Sequence, residues 1–363
     1  MILGTPRHRN AGSIFMIQIG HIRVGLDSTP FFIAEMSGNH GGSLDRALAI
    51  VDAMAEAGAH ALKLQTYTAD TMTLDIAERE FLITDAENLW KGRTLYDLYH
   101  EAHTPCAWHK PLFERARSRG MLAFSTPFDA TAVDFLETLD VPCYKVASFE
   151  NVDLPLIRKV AATGKPIIMS TGMATLREIG EAVEAARDAG CRDLVLLKCT
   201  SSYPAPPEES HLRTLPHMRE AFGCEVGLSD HTLGIGAAIA AVAMGATVIE
   251  KHVTLSRAEG GVDSAFSLEP AEVRQLMAEC ERARASLGAV HYGPGEREAD
   301  SVKFRRSLYV VEDVAAGERL TAATVRAIRP GLGLLPGHLP QVLGRRAARD
   351  IPRGTPVSWD LLD

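Results

Sequence analysis

The chain has 363 residues and a formal net charge of −8, and 46% of its residues are hydrophobic and 23% charged. This composition is ordinary for a soluble globular protein, and the lack of a long basic run excludes nucleic acid and membrane surfaces as expected partners. No apolar stretch reaches the roughly 18 residues that a membrane helix needs. The six cysteines have no CxxC spacing, which favours reduced thiols in the cytoplasm over a zinc ribbon or a disulfide framework.

The first 16 residues lack the apolar core of a signal peptide, and we expect a disordered tail there. Met16 is a candidate start, because the IQIGHIRVG that follows it has the character of folded sequence. Further along, short apolar runs alternate with helical stretches, and each run is a strand candidate. The runs are FFIAEMS (31–37), HALKLQT (60–66), MLAFST (121–126), CYKVAS (143–148), PIIMST (166–171), DLVLLKCT (193–200), EVGLSD (225–230) and TVIEKHV (247–253).

The stretches between these runs have apolar residues at helical spacing. One of them stops at Gly58, and another opens with a capping box of Thr175 and Glu178. The spacing predicts helices over 44–58, 175–190, 233–245 and 270–288. Eight strand–helix units in succession predict a parallel sheet closed into a (β/α)8 barrel, and an open doubly wound sheet is the alternative.

One connection, residues 67–120, is far longer than the others and contains a predicted helix from about Trp108 to Ser118. Long connections on a barrel commonly cover the active site. The barrel pattern ends near Gly288, and a turn-rich segment and short strands follow. The predicted divisions are a tail (1–16), a barrel domain (17–290), a linker (291–303) and a small β-rich domain (304–363).

In a closed barrel the catalytic groups lie at the C-terminal ends of the strands. Here those ends carry charged and hydroxyl side chains, although an unpaired charge inside a barrel is costly. Ammonium and hydroxyl donors together suit a small dianion with a phosphate and a carboxylate group. The residues that we single out for this anion are Lys63, Thr126, Lys145, Ser148 and Ser170, and Glu35 and Ser229 lie at further strand ends.

Two histidines end neighbouring strands of the predicted barrel. His231 follows the seventh strand beside Asp230, and His252 ends the eighth, which closes the barrel near Glu35. Two neutral imidazoles can hold a divalent metal, with water and substrate in the remaining positions. The sequence therefore predicts a metal site on His231 and His252.

Eight segments spread over the chain resemble the sialic acid synthase family. They are AEMSGNHGGS (34–43), LKLQTYTADTMTL (62–74), FSTPFD (124–129), YKVASFE (144–150), MSTGMAT (169–175), LKCTSSYPAP (197–206), GLSDHTLG (227–234) and IEKHVTL (249–255). The tail RRSLYVVEDVAAGE resembles the antifreeze-like (SAF) domain of that family, so the resemblance covers about residues 17 to 363. Within the family, LWKGRTLYDLYHEAHTPCAWH (89–109) and KCTSSYPAP resemble the pseudaminic acid synthases.

The resemblance implies a transferase that forms a carbon–carbon bond. It would condense phosphoenolpyruvate with 2,4-diacetamido-2,4,6-trideoxy-β-L-altrose and water to give pseudaminic acid and phosphate. The alternative within the family is an N-acetylneuraminate or legionaminate synthase that uses another N-acetylated amino sugar. The metal implied is Mn²⁺, with Mg²⁺ or Co²⁺ as alternatives.

The resemblance also implies roles for single residues. Ser201 and Ser229 join the phosphoenolpyruvate site, and Ser201 stands where neuraminic acid synthases have an asparagine. Glu35, His231 and His252 are the implied catalytic residues. The implied sugar contacts are Gln65, Glu150, Tyr203 and Asp263, joined by Arg329 from the SAF domain of the other subunit in a domain-swapped homodimer.

Two other readings of the sequence remain open. A Schiff-base aldolase would use Lys198 on the sixth strand as its nucleophile, with Lys145 in reserve. An ice- or carbohydrate-binding protein would use the C-terminal domain. The charged and polar ends of the predicted strands favour an enzyme.

Overall fold

The computed structural model describes residues 16–85 and 90–363, and it divides the chain into two compact units between Gly288 and Ala289. Apart from Met16, the predicted disordered tail lies outside the described residues. Each unit buries an apolar core of its own. Among the described residues, no helix combines the length and the apolar character that crossing a bilayer requires.

The first unit opens with a short antiparallel hairpin of β1 (Ile17–Ile19) and β2 (Ile22–Val24). Gly20 in its turn has a φ of 55°. A Cβ added there would lie 2.7 Å from Leu122, so glycine suits both the conformation and the space. Because Leu122 begins a barrel strand, the hairpin lies at the N-terminal end of the barrel, away from the strand ends that carry the chemistry.

Eight parallel strands close into a barrel, which confirms the predicted fold class. Parallel barrel strands are buried on both faces, and this explains why each appears in the sequence as a continuous apolar run. The barrel closes because the last strand pairs with both its predecessor and the first. The strands are β3 (Phe31–Glu35), β4 (Ala61–Thr66), β5 (Leu122–Pro127), β6 (Tyr144–Val146), β7 (Ile167–Ser170), β8 (Leu194–Cys199), β9 (Glu225–Asp230) and β10 (Val248–His252).

Helices occupy the connections between the strands, and local signals set their ends. Ser43 caps the first helix by accepting from the Arg46 amide, and Gly58 ends it in a left-handed conformation. The predicted capping box of Thr175 and Glu178 is present. The helices are α1 (Leu44–Ala57), α2 (Ala69–Met72), α3 (Leu95–Ala102), α4 (Cys106–Ser118), α5 (Ala130–Glu137), α6 (Leu154–Ala161), α7 (Leu176–Asp188), α8 (Thr214–Phe222), α9 (Gly236–Ala243) and α10 (Pro270–Leu287).

Strand register brings polar residues from distant parts of the chain side by side. His252 on β10 lies opposite Glu35 on β3, and Glu35 lies opposite Lys63 on β4. On the other side of β10, Glu250 lies opposite Ser229. The C-terminal end of the barrel therefore carries a continuous arc of titratable and hydroxyl groups.

The second unit is a small β-rich fold. Its antiparallel pair consists of β11 (Ser307–Val310) and β12 (Val325–Ile328), and a short helix α11 (Leu339–Val342) follows. Leu308, Val310 and Val325 lie in a compact core with residues from the later turns. This architecture agrees with the β-rich domain expected from the turns and short strands of the sequence.

A prediction concerns the close approach of β9 and β10. A Cβ added at Gly227 would lie 2.3 Å from the Val248 carbonyl oxygen and 2.7 Å from Leu197 Cδ2. We expect Gly227→Ala to lower the free energy of unfolding by roughly 3 kcal/mol, since the neighbouring backbone would have to move. Urea unfolding followed by far-ultraviolet circular dichroism measures this loss.

Gly180→Ala is the matched control, because the added Cβ would have nothing within 4 Å in α7. Alanine also favours a helix, so this variant should gain about 0.5 to 1 kcal/mol. Equal unfolding free energies for the two variants would contradict the packing argument.

Candidate active site

Buried polar side chains meet at the C-terminal ends of the barrel strands. Glu35, Lys63, Thr126, Lys145 and Glu250 are all at most 4% exposed. Burying so many charges is unfavourable unless each one has a partner. The site is therefore best understood through its ion pairs and hydrogen bonds.

Lys63 is held by two carboxylates. Its Nζ lies 2.7 Å from Glu35 Oε2 and 3.7 Å from Glu250 Oε1, and it donates to Thr126 Oγ1 at 3.2 Å. Burial lowers the pKa of this lysine, but the two carboxylates outweigh burial and leave the pKa above its ordinary value. Lys63 is thus a fixed positive charge in the barrel.

Lys145 faces the same space and is less fully compensated. Its Nζ donates to Ser170 Oγ at 2.7 Å and to the Val146 carbonyl at 3.0 Å, and it lies 3.9 Å from Glu250 Oε1. Burial holds the pKa of Lys145 below its ordinary value. An anion entering the site would gain most by approaching this ammonium group.

Glu250 connects these groups, and the sequence analysis missed it. Its Oε1 lies near both lysines, and the carboxylate accepts a hydrogen bond of 3.0 Å from Ser229 Oγ. Burial raises the pKa of Glu250, but the two lysines outweigh this and lower it. The signal in the sequence was its position two residues before His252 on one strand, which places both side chains on the same face.

Ser148, Gly172 and Ser201 form a tight corner at the ends of three strands. The Gly172 amide donates to Ser148 Oγ at 3.1 Å. A Cβ at Gly172 would lie 2.3 Å from Ser201 Oγ and 2.7 Å from Ser148 Oγ, so only glycine fits. The structure therefore brings two predicted serines together around a glycine that the sequence analysis did not single out.

The two predicted metal ligands are neighbours, with ring centroids 5.3 Å apart. His231 Nδ1 lies 2.9 Å from the Thr200 carbonyl oxygen. A carbonyl only accepts, so Nδ1 carries the proton and Nε2 presents a lone pair. His252 Nδ1 lies 3.3 Å from Asp263 Oδ2 but is not aligned for a hydrogen bond.

These two imidazoles suit a divalent ion, because each has one nitrogen beside a backbone or carboxylate oxygen, as metal-binding histidines usually do. Within residues 16–85 and 90–363, no three His, Cys, Asp or Glu side chains are grouped as a metal site. An ion on His231 and His252 would therefore take its other ligands from water or substrate.

Asp263 is held in place by Asn39, a second residue that the sequence analysis missed. Asn39 Oδ1 accepts from the Asp263 amide at 3.3 Å, and its Nδ2 donates to the Val253 carbonyl at 2.9 Å. Burial raises the pKa of Asp263, but contact with His252 and Ser37 outweighs burial and leaves the pKa below its ordinary value. A buried carboxylate is thus fixed beside one of the histidines.

Gln65 and Tyr203 lie at opposite sides of this centre. Gln65 Nε2 donates to Glu35 Oε1 at 2.9 Å and to Ser37 Oγ at 3.1 Å, which orients the Glu35 carboxylate. The Tyr203 ring lies 4.5 Å from the His231 ring. Both predicted sugar-contacting residues therefore border the catalytic groups.

Glu150 stands in the turn after β6, near the long connection between β4 and β5. Its Oε2 is buried without a hydrogen-bond partner among the described residues. Burial raises the pKa of Glu150 to about 7. Burial and the nearby Glu150 charge also raise the pKa of Tyr99 on α3, so the long connection reaches this part of the site.

The NeuB family model matches residues 50–292, and the SAF domain model matches residues 305–363. The chain belongs to the NeuB family. It is 41% identical over 338 residues to the pseudaminic acid synthase of Campylobacter jejuni, which covers 93% of this chain and 97% of that protein. It is 33% identical to the N,N'-diacetyllegionaminic acid synthase of Legionella pneumophila, over 93% of this chain and 96% of that protein.

Among solved structures, the N-acetylneuraminic acid synthetase of Leptospira borgpetersenii, in complex with citrate, is similar with a TM-score of 0.70. The two chains are 32% identical, and the match covers 80% of this chain and 95% of that one. These comparisons confirm the predicted family, with its TIM barrel and SAF domain.

Two lysines considered as Schiff-base nucleophiles differ in where they point. Cys199 Sγ lies 3.9 Å from His231 Nδ1, so Cys199 faces the site. Successive strand residues alternate in direction, and Lys198 therefore points the other way, where its Nζ donates to the Cys199 carbonyl and the Thr200 hydroxyl. Of the two lysines, only Lys145 faces the site, where its Nζ lies 3.9 Å from Glu250 on the strand that carries His252.

Arg329, the last predicted sugar contact, belongs to the second unit of this NeuB-family chain. It lies directly after β12 and is exposed. Its predicted role depends on a second subunit, so within the single chain it stays a prediction.

The shared carboxylate of Glu250 leads to a prediction. Glu250→Gln keeps the side-chain shape but removes its charge, and the buried Lys145 loses the carboxylate 3.9 Å away. We expect the free energy of unfolding to fall by about 3 kcal/mol, because an uncompensated buried charge remains. Urea unfolding measures this change.

Glu181→Gln is the matched control, since Glu181 pairs with Arg177 on the exposed face of α7 and should change stability little. The double variant Lys145→Met/Glu250→Gln should recover part of the loss, because both partners of the pair are then neutral. The charge-balance argument fails if Glu250→Gln is as mild as Glu181→Gln.

Proposed function

We propose that this NeuB-family protein condenses phosphoenolpyruvate with 2,4-diacetamido-2,4,6-trideoxy-β-L-altrose and water to give pseudaminic acid and phosphate. The observation that carries the proposal is the pairing of a cationic, hydroxyl-rich cluster with two adjacent histidines at one end of the barrel. The 41% identity to the Campylobacter jejuni pseudaminic acid synthase favours this acceptor over others.

Phosphoenolpyruvate suits the cluster because it carries a phosphate and a carboxylate on three carbons. Lys63 and Lys145 supply two positive charges, and surrounding hydroxyl groups supply hydrogen bonds that fix its orientation. The hydroxyl donors that we assign are Thr126, Ser148, Ser170, Ser201 and Ser229.

A divalent ion held by His231 and His252, which we expect to be Mn²⁺ with Mg²⁺ or Co²⁺ as alternatives, would polarise the aldehyde oxygen of the acceptor. The Thr200 carbonyl orients the His231 ring by a hydrogen bond, and the Asp263 carboxylate lies 3.3 Å from His252 Nδ1. The nitrogens that remain, such as Nε2 of His231, would be the ligands of the ion.

With both reactants bound, the proposed reaction has three steps. C3 of phosphoenolpyruvate attacks the aldehyde carbon, and the electron pair of the C2–C3 double bond forms the new carbon–carbon bond. The aldehyde oxygen takes up a proton from solvent and becomes a hydroxyl group, and C2 becomes cationic. Water adds to C2, and we assign Glu35, oriented by Gln65 and Lys63, to take a proton of that water. The bond between C2 and the bridging phosphate oxygen then breaks, the C2 hydroxyl group gives its proton to the leaving phosphate, and the products are a 2-oxo acid and phosphate.

The acceptor would lie between the histidines and the mouth of the barrel. Gln65, Tyr203 and Asp263 lie against Glu35, His231 and His252 in turn. The residues that we assign to orient the acceptor are Gln65, Glu150, Tyr203 and Asp263. Arg329 would join them from the SAF domain of a second subunit, so we propose a domain-swapped homodimer. The six free cysteines agree with work in the reducing cytoplasm.

A test of the function measures phosphate release from phosphoenolpyruvate with Mn²⁺ and different acceptors. We expect the altrose-type sugar to react at least tenfold faster than N-acetylmannosamine or a legionaminic precursor, and EDTA to abolish the reaction. A preference for N-acetylmannosamine would overturn the assigned acceptor. A covalent lysine adduct trapped by borohydride would instead support the aldolase.

Metal binding is tested by the metal content of the purified protein. We expect His231→Gln and His252→Gln to lower Mn²⁺ affinity at least tenfold, because each removes one of two protein ligands. His217→Gln, an exposed histidine on α8, is the matched control. If both site variants keep the wild-type Mn²⁺ content after dialysis, His231 and His252 are not the ligands of the metal.

A further inference from the structure

Tyr203 and Phe266 lie beside the two histidines and Trp90 lies against Tyr203, and we call these three residues the aromatic wall. Tyr203 lies 4.5 Å from His231, and Phe266 lies 5.0 Å from His252, between ring centroids. Tyr203 and Phe266 are 5.4 Å apart. The wall thus offers an apolar surface directly next to polar catalytic groups.

Trp90 reaches this wall from the long connection between β4 and β5. Its ring centroid lies 6.1 Å from that of Tyr203. Its indole N–H donates to the Val262 carbonyl at 3.2 Å, and Val262 directly precedes the buried Asp263. This hydrogen bond therefore links the connection between β4 and β5 to the loop that carries Asp263.

The rings run in a series from His231 to Tyr203 to Trp90. In the proposed reaction the aldehyde carbon of the acceptor lies at the histidines. The opposite end of the same six-carbon chain would then lie along the wall, because the rings continue away from His231. In the altrose-type acceptor that end is a methyl group, whereas in N-acetylmannosamine it is a hydroxymethyl group.

We propose that Trp90 is a specificity-determining residue that packs against the terminal methyl group of a 6-deoxy acceptor. The inference rests on the proposed function and names the feature of the sugar that this part of the site selects. An indole face gives a hydroxyl group no hydrogen-bond acceptor, and the indole N–H already donates to Val262. A 6-hydroxyl group there loses its water without replacement.

The size of the effect follows from the chemistry of apolar pockets. Such a pocket rejects a substrate with one added hydroxyl by about tenfold to a hundredfold. The same surface gains apolar contact with a methyl group. The lost hydration of a 6-hydroxyl group and the apolar contact of a methyl group both favour the 6-deoxy sugar, and neither effect needs a charged contact.

The experiment compares kcat/KM for two acceptors at saturating phosphoenolpyruvate. One is the altrose-type sugar, and the other is the same sugar with a hydroxyl group at C6. We expect wild type to prefer the 6-deoxy sugar at least tenfold, Trp90→Ala to reduce that preference to threefold or less, and Trp90→Phe to keep most of it. Trp90→Gln, which can hydrogen-bond a hydroxyl group, should shift the preference furthest towards the 6-hydroxy sugar.

Tyr96→Ala is the matched control, since it removes an aromatic ring from the same connection, where its hydroxyl donates to Asp70. Equal losses for both acceptors in Trp90→Ala and Trp90→Gln would overturn the inference and leave the proposed function intact, because Trp90 would then only fasten the connection. A preference lost in Tyr96→Ala as well would also overturn it. Wild-type protein inactive with both acceptors would defeat the proposed function itself.

Discussion

Two lysines buried inside a barrel need carboxylates beside them, and this need for charge balance organises the first unit. Lys63 on the second barrel strand meets Glu35 on the first strand and Glu250 on the last. The charge of Lys145 is less fully compensated, because its Nζ lies 3.9 Å from the Glu250 carboxylate. An anionic substrate can therefore gain attraction at Lys145 while Lys63 stays fixed.

The polar side chains of the site are held by separate sets of partners. Glu35 is held on one oxygen by Lys63 and on the other by Gln65, so its carboxylate has a fixed orientation. The histidines have different partners: His231 is hydrogen-bonded to the Thr200 carbonyl, and His252 lies beside Asp263. Glu35 and the histidines are thus each positioned by different neighbours. The aromatic wall adds an apolar surface to a site that is otherwise charged.

Much of this was predictable, because barrel strands buried on both faces appear as continuous apolar runs and helix caps are local. The polar residues at the ends of the runs identified Lys63, Lys145, His231 and His252. Glu250, Asn39 and Gly172 were not found. Their importance comes from neighbours on other strands, such as the two serines that exclude a Cβ at Gly172, and a single sequence does not show such neighbours. The hairpin of β1 and β2 was too short to form a clear pattern.

The hydrogen bond from Asn39 to the Val253 carbonyl joins positions 214 residues apart in sequence. It spans the seam where β10 meets β3, and the predicted site residues Glu35 and His252 lie opposite each other along that seam. Because contacts between distant segments form late and cost chain entropy, the site exists only once the barrel has closed. A ligand that binds there acts on the folding equilibrium of the whole unit and holds the first and last strands together by mass action.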